Sequence, residues 1–471
     1  MKKLFSNCYL MDRRCYDEYA LSEDILMEHA SRGMAEYIKE HFSSGSRVLI
    51  VSGVGNNGAD GIVLARQLYL DYDVALYIPK ALKSDMAKIQ LYRTKSVGVE
   101  IVDEIIESDI IVDAIFGAGL NRDIDNEIVD ILESLNSQKA FKIACDVPTG
   151  LLESGELCSA TFRADVTITM GALKKSLYSD GAKDFVGEII CVDLGVSREL
   201  YEIDSDSFLL EYSDMKLPSR TALSTHKGSF GHSVVFVGEK VGAGILSAMA
   251  SSRFGSGLTT LLAHQSITHP YYLMNSSELP YNTTSIAIGM GLGDMFDDEF
   301  LYSNVIDSDI PIVLDADIFY KEKILDILNQ KDREIVITPH PKEFASMWEI
   351  LTKEKLEVSY IQSHRFEVAQ EFSRVYPDVT LLLKGANMII AKDEKLYINP
   401  YGDARLSKGG SGDVLSGLIA SLLAQGYNSV DATISASLAF CKSLSFYDGA
   451  SFGMLPEDIV SNIAKIEVSR G

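Results

Sequence analysis

The sequence predicts an α/β protein made of two three-layer domains, each a mostly parallel sheet between helices. Three observations carry this. Short apolar runs recur along the chain, each followed by a glycine-bearing turn and then by apolar residues at helical spacing. That alternation runs twice, and no sequence repeat joins the halves. Between them, residues 193–225 lose both periodicities and turn polar. With 471 residues the chain exceeds one ordinary domain. The junction falls near residues 206–214, which gives domains of residues 1–210 and 211–471. It holds no Gly/Ser or Pro tract, so no loose tether is predicted.

In the first half, residues 22–39 read as a capped amphipathic helix with Ile25, Leu26, Ala30, Met34 and Ile38 on its apolar face. Residues 48–51 make a buried strand. GVGNNGADG follows, punctuated by Gly53, Gly55, Gly58 and Gly61, and a helix continues over residues 62–70. Strand, glycine loop and helix is how open α/β sheets hold nucleotides, although the spacing is not GxGxxG. Further strands are expected at 74–78, 110–114, 142–146, 166–170 and 189–192. Asp113 and Asp146 close two of these, each before a glycine-bearing turn. Aspartate is also a common turn residue, so capping is the alternative reading of both.

In the second half, strands are expected at 232–238, 258–263, 286–288, 312–315, 335–337 and 380–383, with a helix at 241–253. The strand ends carry GMGLGD (289–294), DAD (315–317), TPHPKE (338–343) and KGANM (384–388). Residues 405–420, RLSKGGSGDVLSGLIA, read as a glycine-rich loop opening a helix. Bare backbone N–H groups and the helix start favour an anion there. Asp413 is the carboxylate in that environment. It either takes a proton from a substrate hydroxyl or simply caps the helix.

Composition narrows the partners. Hydrophobic residues make up 46 % and charged residues 23 %, as in folded soluble proteins. Net charge is −24 with no long basic stripe, which argues against nucleic acid and anionic membranes. Six cysteines form no CxxC pair, which suits a reducing, cytoplasmic setting and argues against zinc. The scattered histidines His226, His232, His264 and His269 lack ligand spacing. The first apolar run is too short for a secretory signal, and no segment is long enough to span a bilayer. A homo-oligomer is expected.

GVGNNGADG, DAIFGAGL and DVPTGL, in this order after an LMEHA helix, resemble the NAD(P)H-hydrate epimerase domain. The resemblance implies a Rossmann-like fold that interconverts the R and S forms of hydrated NADH or NADPH and binds K+. It implies dinucleotide contacts from Asn56, Asn57, Gly58, Ala59 and Asp60, and from Gly117, Ala118, Gly119, Leu120, Asn121, Arg122 and Asp123. It further implies a potassium site of Asn57, Asp113 and Thr149, and Asp146 at the reacting ring. Ala59 stands where the family usually has glycine, and Thr149 where it usually has serine.

HKGSFGH, GMGLGD, DAD, TPHPKEF, LLKGANMII and GGSGDVLSG together resemble the ADP- or ATP-dependent NAD(P)H-hydrate dehydratases, over nearly all of residues 219–463. The resemblance implies a ribokinase-like fold and use of ADP or ATP with Mg2+. It implies hydrated-dinucleotide contacts from Ala243, Gly291, His340 and Asp413, and adenine-nucleotide contacts from Lys384, Gly385, Ala386, Asn387, Met388 and Gly412. For His340, packing of a turn is the rival reading. GSGD stands for the commoner GTGD, and KGANM for KGATT. Two alternatives remain beside this one: a kinase of a sugar or vitamin alcohol in the second half, and a non-catalytic first half.

Overall fold

The computed structural model describes residues 1–263, 266–293, 302–306 and 308–467; His264 and Asp294 lie outside the described residues. The chain divides into two compact units, Lys3–Ser207 and Phe208–Gly471 with Met1–Lys2.

The strands in chain order begin with β1 (Lys2–Leu4), β2 (Arg47–Ser52), β3 (Asp73–Tyr77), β4 (Glu100–Val102), β5 (Ile110–Ala114), β6 (Phe141–Cys145), β7 (Val166–Met170) and β8 (Glu188–Val192). The first unit holds a seven-stranded sheet in the order β4-β3-β2-β5-β6-β7-β8. Its pairs are parallel throughout. Counted from β2, this is the doubly-wound 3-2-1-4-5-6 order with a strand added. β5 is buried along its whole length. A strand covered on both faces reads as an unbroken apolar run, which is why its position was legible.

The helix Glu23–His41 buries Leu26, Ala30, Met34 and Ile38 as expected, but Ile25 is exposed. The next helix starts at Asn56, six residues before the expected 62, so NNGADG is its first turns rather than a loop. Its glycines serve close packing. A Cβ on Gly58 would lie 2.0 Å from the Gly53 carbonyl oxygen, and one on Gly61 would lie 2.6 Å from the Ala114 Cβ. Ala59 lies inside this helix and is absent from the left-handed residues, so it fits there without strain.

The second unit continues with β9 (Ser207–Leu209), β10 (His232–Phe236), β11 (Leu258–Leu262), β12 (Met274–Ser276), β13 (Ser285–Ile288), β14 (Ile312–Leu314), β15 (Ile335–Ile337), β16 (Val379–Leu383), β17 (Met388–Lys392) and β18 (Lys395–Asn399). The sheet order is β1-β9-β18-β17-β16-β15-β14-β13-β10-β11-β12. From β12 to β16 it is parallel, and β17 and β18 add an antiparallel hairpin. The parallel set again reverses direction at one point, between β10 and β13. The core helix Ser411–Ala424 lies against Val241–Arg253 so closely that a Cβ on Gly417 would stand 2.0 Å from the Ser247 carbonyl oxygen.

Residues 193–225, read as irregular, hold the short helix Arg198–Tyr201 and β9. Tyr201 is fully buried there. Among the described residues no helix is long and apolar enough to cross a membrane.

Candidate functional site

In open α/β sheets, ligands bind outside the carboxyl ends of the strands where the strand order reverses. In the first unit that point lies between β2 and β5. The turns leaving these strands border a cavity of about 810 Å³. Of the residues expected to contact a dinucleotide, Asn56, Asn57, Asp60, Gly117, Ala118, Gly119, Leu120, Asn121, Arg122 and Asp146 line it. Gly58, Ala59 and Asp123 do not. Gly58 and Ala59 are buried in the helix, and Asp123 is exposed, where its carboxylate accepts from the Ser159 N–H at 3.0 Å.

Asp146 follows β6 with a left-handed φ of 68°. A non-glycine residue in that region is strained, and such strain concentrates at functional sites. The carboxylate is held on both sides. Lys174 Nζ pairs with Oδ1 at 2.6 Å, and the lysine is almost fully buried. The Thr169 hydroxyl and Met170 N–H donate to Oδ1 at 3.1 Å, and Ala118 N–H donates to Oδ2 at 3.3 Å. Burial alone would push Asp146 up; the Lys174 charge and these donors outweigh it and hold the carboxyl below its ordinary value. The pairing correspondingly raises Lys174, against the pull of burial.

Asp113, at the end of β5, is fully buried behind the cavity rather than on its wall. Thr149 N–H donates to its Oδ2 at 2.7 Å and the Thr149 hydroxyl to its Oδ1 at 2.8 Å. Ile115 N–H adds a contact at 3.1 Å. Among the described residues no Lys or Arg pairs with it. Burial pushes Asp113 to about 6 despite these donors. Asn57 Oδ1 lies 2.9 Å from where a Cβ on Gly117 would stand, with Asp146 Oδ2 3.2 Å from the same point. Asn57 Nδ2 is buried without a partner. Of the three residues expected to hold a cation, Asp113 and Thr149 are thus in contact, while the Asn57 oxygen lies beside Gly117.

In the second unit, the turns after β10 and β13 meet at the reversal point. Gly291 has a φ of 64°, and a Cβ there would lie 2.7 Å from the Lys240 Cβ and 3.1 Å from the Ala243 Cβ. Asp315 follows β14 and is almost fully buried. Its Oδ1 pairs with Lys384 Nζ at 2.5 Å, and the Ser416 hydroxyl donates to its Oδ2 at 2.7 Å. A Cβ on Gly412 would lie 3.3 Å from Lys384 Nζ, so the lysine stands over the start of the glycine-loop helix. Asp413 is in the first turn of that helix. Burial, with the nearby Asp315 and Asp317 charges, pushes its carboxyl to about 6, against the pull of Lys384 and Lys240.

His340 caps the helix Pro341–Thr352. Its Nδ1 accepts from the Lys342 and Glu343 N–H groups at 3.1 and 3.2 Å, and its Nε2 lies 3.2 Å from Glu343 Oε1. The packing role weighed from sequence is therefore present. Burial raises Glu343 to about 7 and, with Lys384, lowers His340. In KGANM, the Asn387 and Met388 side chains are buried, while Gly385 and Ala386 are exposed. Arg365 holds this turn from below, donating to the carbonyls of Leu383, Lys384 and Asn387 at 3.0 Å each.

Sequence reasoning assigned no role to Lys174, Asp315, Asp317 or Arg365. DAD closing an apolar run was the signal for the two aspartates. Lys174 is one of two adjacent lysines, and only the fold distinguishes the buried one. Cys8, Asp12, Tyr16 and Tyr201 also line the cavity, from the helix Tyr9–Tyr19, its N-cap and the stretch read as irregular. Among the described residues no group of three His, Cys, Asp or Glu side chains could hold a metal.

Residues 234–465 match the family described as NAD(P)H-hydrate dehydratase, and residues 23–176 match the YjeF-related protein N-terminus family. A bifunctional NAD(P)H-hydrate repair enzyme Nnr from Helicobacter pylori is 38 % identical, over 99 % of this chain and all of that protein. The protein of the same name from Dictyoglomus turgidum is 32 % identical over 90 % of this chain and 89 % of its own. A solved ADP/ATP-dependent NAD(P)H-hydrate dehydratase from Bacillus subtilis, co-crystallized with ATP/Mg2+, is 22 % identical, with a TM-score of 0.44 over 53 % of this chain and 92 % of that chain. The chain belongs to the bifunctional NAD(P)H-hydrate repair enzymes.

Proposed function

We propose that each unit carries one half of the repair. The first interconverts the R and S epimers of hydrated NADH or NADPH at Asp146. The second dehydrates the S form at the expense of ADP or ATP, with Asp413 as base on the C6 hydroxyl. The observation that carries this reading is the placement of Asp413. It is a carboxyl raised to about 6 in the first turn of a helix opened by glycines, with Lys384 over the same helix start.

The chemistry follows from the leaving group. Hydroxide leaves C6 poorly, whereas a phosphate leaves well. Asp413 takes the hydroxyl proton as the oxygen attacks the terminal phosphoryl group. The glycine-loop N–H groups and Lys384 stabilise the charge on the transferred group. Phosphate then departs and loss of the C5 proton restores the ring double bond. Mg2+ supplies charge neutralisation on the phosphates when bound. Mg2+ characteristically takes one or two carboxylates together with substrate phosphates, and the partly exposed Asp317 suits that role. Only one C6 epimer can present its hydroxyl to such a site, which accounts for an epimerase on the same chain.

For the first unit, K+ held by Asn57, Asp113 and Thr149 oxygens would brace the turn after β5 that borders the cavity. The protein is read as cytoplasmic and homo-oligomeric. The decisive experiment supplies purified S-hydrate with ADP or with ATP and follows the return of reduced nicotinamide absorbance. Recovery with either nucleotide supports the reading. A stable phosphorylated alcohol in place of recovered NADH overturns it.

A further inference from the structure

We propose that Asp60 is the proton donor of the epimerase site, in the same cavity as the Asp146–Lys174 pair. This deepens the reading above and rests on it. Resemblance gave Asp60 only a share in binding the dinucleotide. Three observations give it more. Asp60 and Asp146 line the same cavity, one from the helix after β2 and the other from the end of β6. Among the described residues no side chain or backbone group pairs with the Asp60 carboxyl, whereas Asp146 has four donors. Asn57, one helical turn before Asp60, also lines the cavity and has a buried amide nitrogen without a partner. An unpartnered amide nitrogen and a carboxyl with no protein partner on one cavity wall are placed to meet a polar ligand.

The surroundings push the two carboxyls apart. Burial raises Asp60 well above its ordinary value, and the Asp146, Asp12 and Glu23 charges raise it further, with Lys174 opposing. Asp146 is held low. A neutral acid and an ionised carboxylate lining one cavity is the arrangement that assigns donor and acceptor in one site.

The step balances as follows. Asp60 gives its proton to the C6 hydroxyl and the C6–O bond breaks. The N1 lone pair becomes the C6=N1 π bond, and water leaves. Asp146, kept ionised by Lys174, faces the cation formed. Water then adds to the opposite face of C6 and gives its proton to Asp146. That proton returns to Asp60 through the cavity water, which resets the site.

The test is Asp60→Asn and Asp60→Glu in the full-length protein. Interconversion of purified R and S hydrates is resolved by chromatography and corrected for spontaneous inversion. Asp60→Asn is expected to lower kcat about 10²–10⁴-fold with little change in KM, and Asp60→Glu to recover part of it. In the native protein kcat falls as pH rises through the pKa of the donor, and Asp60→Asn removes that limb. Unchanged kcat with a raised KM means a binding role and overturns the proposal. Persistence of the alkaline limb in Asp60→Asn also overturns it. Where Asp60→Asn fails to fold, the native pH profile with Asp60→Glu decides: no alkaline limb, or no activity in a folded Asp60→Glu, overturns it. A native protein that does not epimerise at all defeats the proposed function instead.

Discussion

Asp146 follows β6 and Asp413 lies in the first turn of the helix Ser411–Ala424, and the surroundings of these two aspartates push them in opposite directions. Asp146 has a lysine at 2.6 Å and is held low. In the second unit the corresponding lysine, Lys384, is taken up by a neighbouring carboxylate, Asp315, at 2.5 Å. Burial, with the charges of Asp315 and Asp317, pushes Asp413 to about 6. The lesson is that the pairing of the nearest lysine decides whether a buried aspartate stays ionised or exchanges a proton near neutral pH.

The largest effect that would break this comparison is at Asp413. Asp413→Asn is expected to reduce nucleotide-driven dehydration about 10²–10⁴-fold in a folded protein. Near-native turnover, measured as the return of NADH absorbance, would refute the assignment.

Lys174→Met tests the other side. Removing one partner of a buried ion pair leaves an uncompensated charge and costs about 3–5 kcal/mol. Urea unfolding should show that loss at neutral pH. The sign of the pH dependence is fixed. Asp146 has a lowered folded pKa, so its contribution is present above the ordinary carboxylate range and is lost as pH falls through the folded value. In Lys174→Met that acid-side loss should disappear. An unchanged midpoint at every pH would show that the pair does not set the charge of Asp146.

Potassium sharpens the comparison, because only the first unit is read as needing it. Replacing K+ with a large organic cation should slow epimerisation and leave dehydration of S-hydrate unchanged. Equal epimerisation in both salts would mean that Asn57, Asp113 and Thr149 do not form the site.

The smallest effect is in pH. A base raised to about 6 must be ionised, so dehydration should climb through pH 6 and level off above it. Below the inflection the rate falls about tenfold per pH unit. A rate flat from pH 5 to 8 would count against Asp413 as the base.

How much of this was legible in the sequence depended on how local the cause was. β2 and β5 are apolar runs, and their positions follow from that alone. The helix starting at Asn56 was read six residues late, because glycine weakens helices in general and only the facing strand shows that it is needed there. The hairpin of β17 and β18 was missed. Its turn residues Asp393 and Glu394, at φ of 50° and 60°, lack the Asn-Gly signature of such turns. Asp146 and Asp413 stood out beside glycine turns. Their partners did not: Lys174 lies 28 residues from Asp146 and Lys384 lies 69 from Asp315, and only the fold brings them together.

The central claim is that the two aspartates serve complete, separate sites, and it is tested most directly by Asp146→Asn given pure S-hydrate with ADP or ATP. Both epimers are followed by chromatography. The variant should dehydrate the S form at the native rate, and from a racemic mixture it should leave the R form behind apart from slow spontaneous inversion. Mixing it with Asp413→Asn should restore complete repair, since the intermediate diffuses between molecules. If Asp146→Asn, still folded, cannot dehydrate pure S-hydrate, the sites are coupled and the account of two independent aspartates is contradicted.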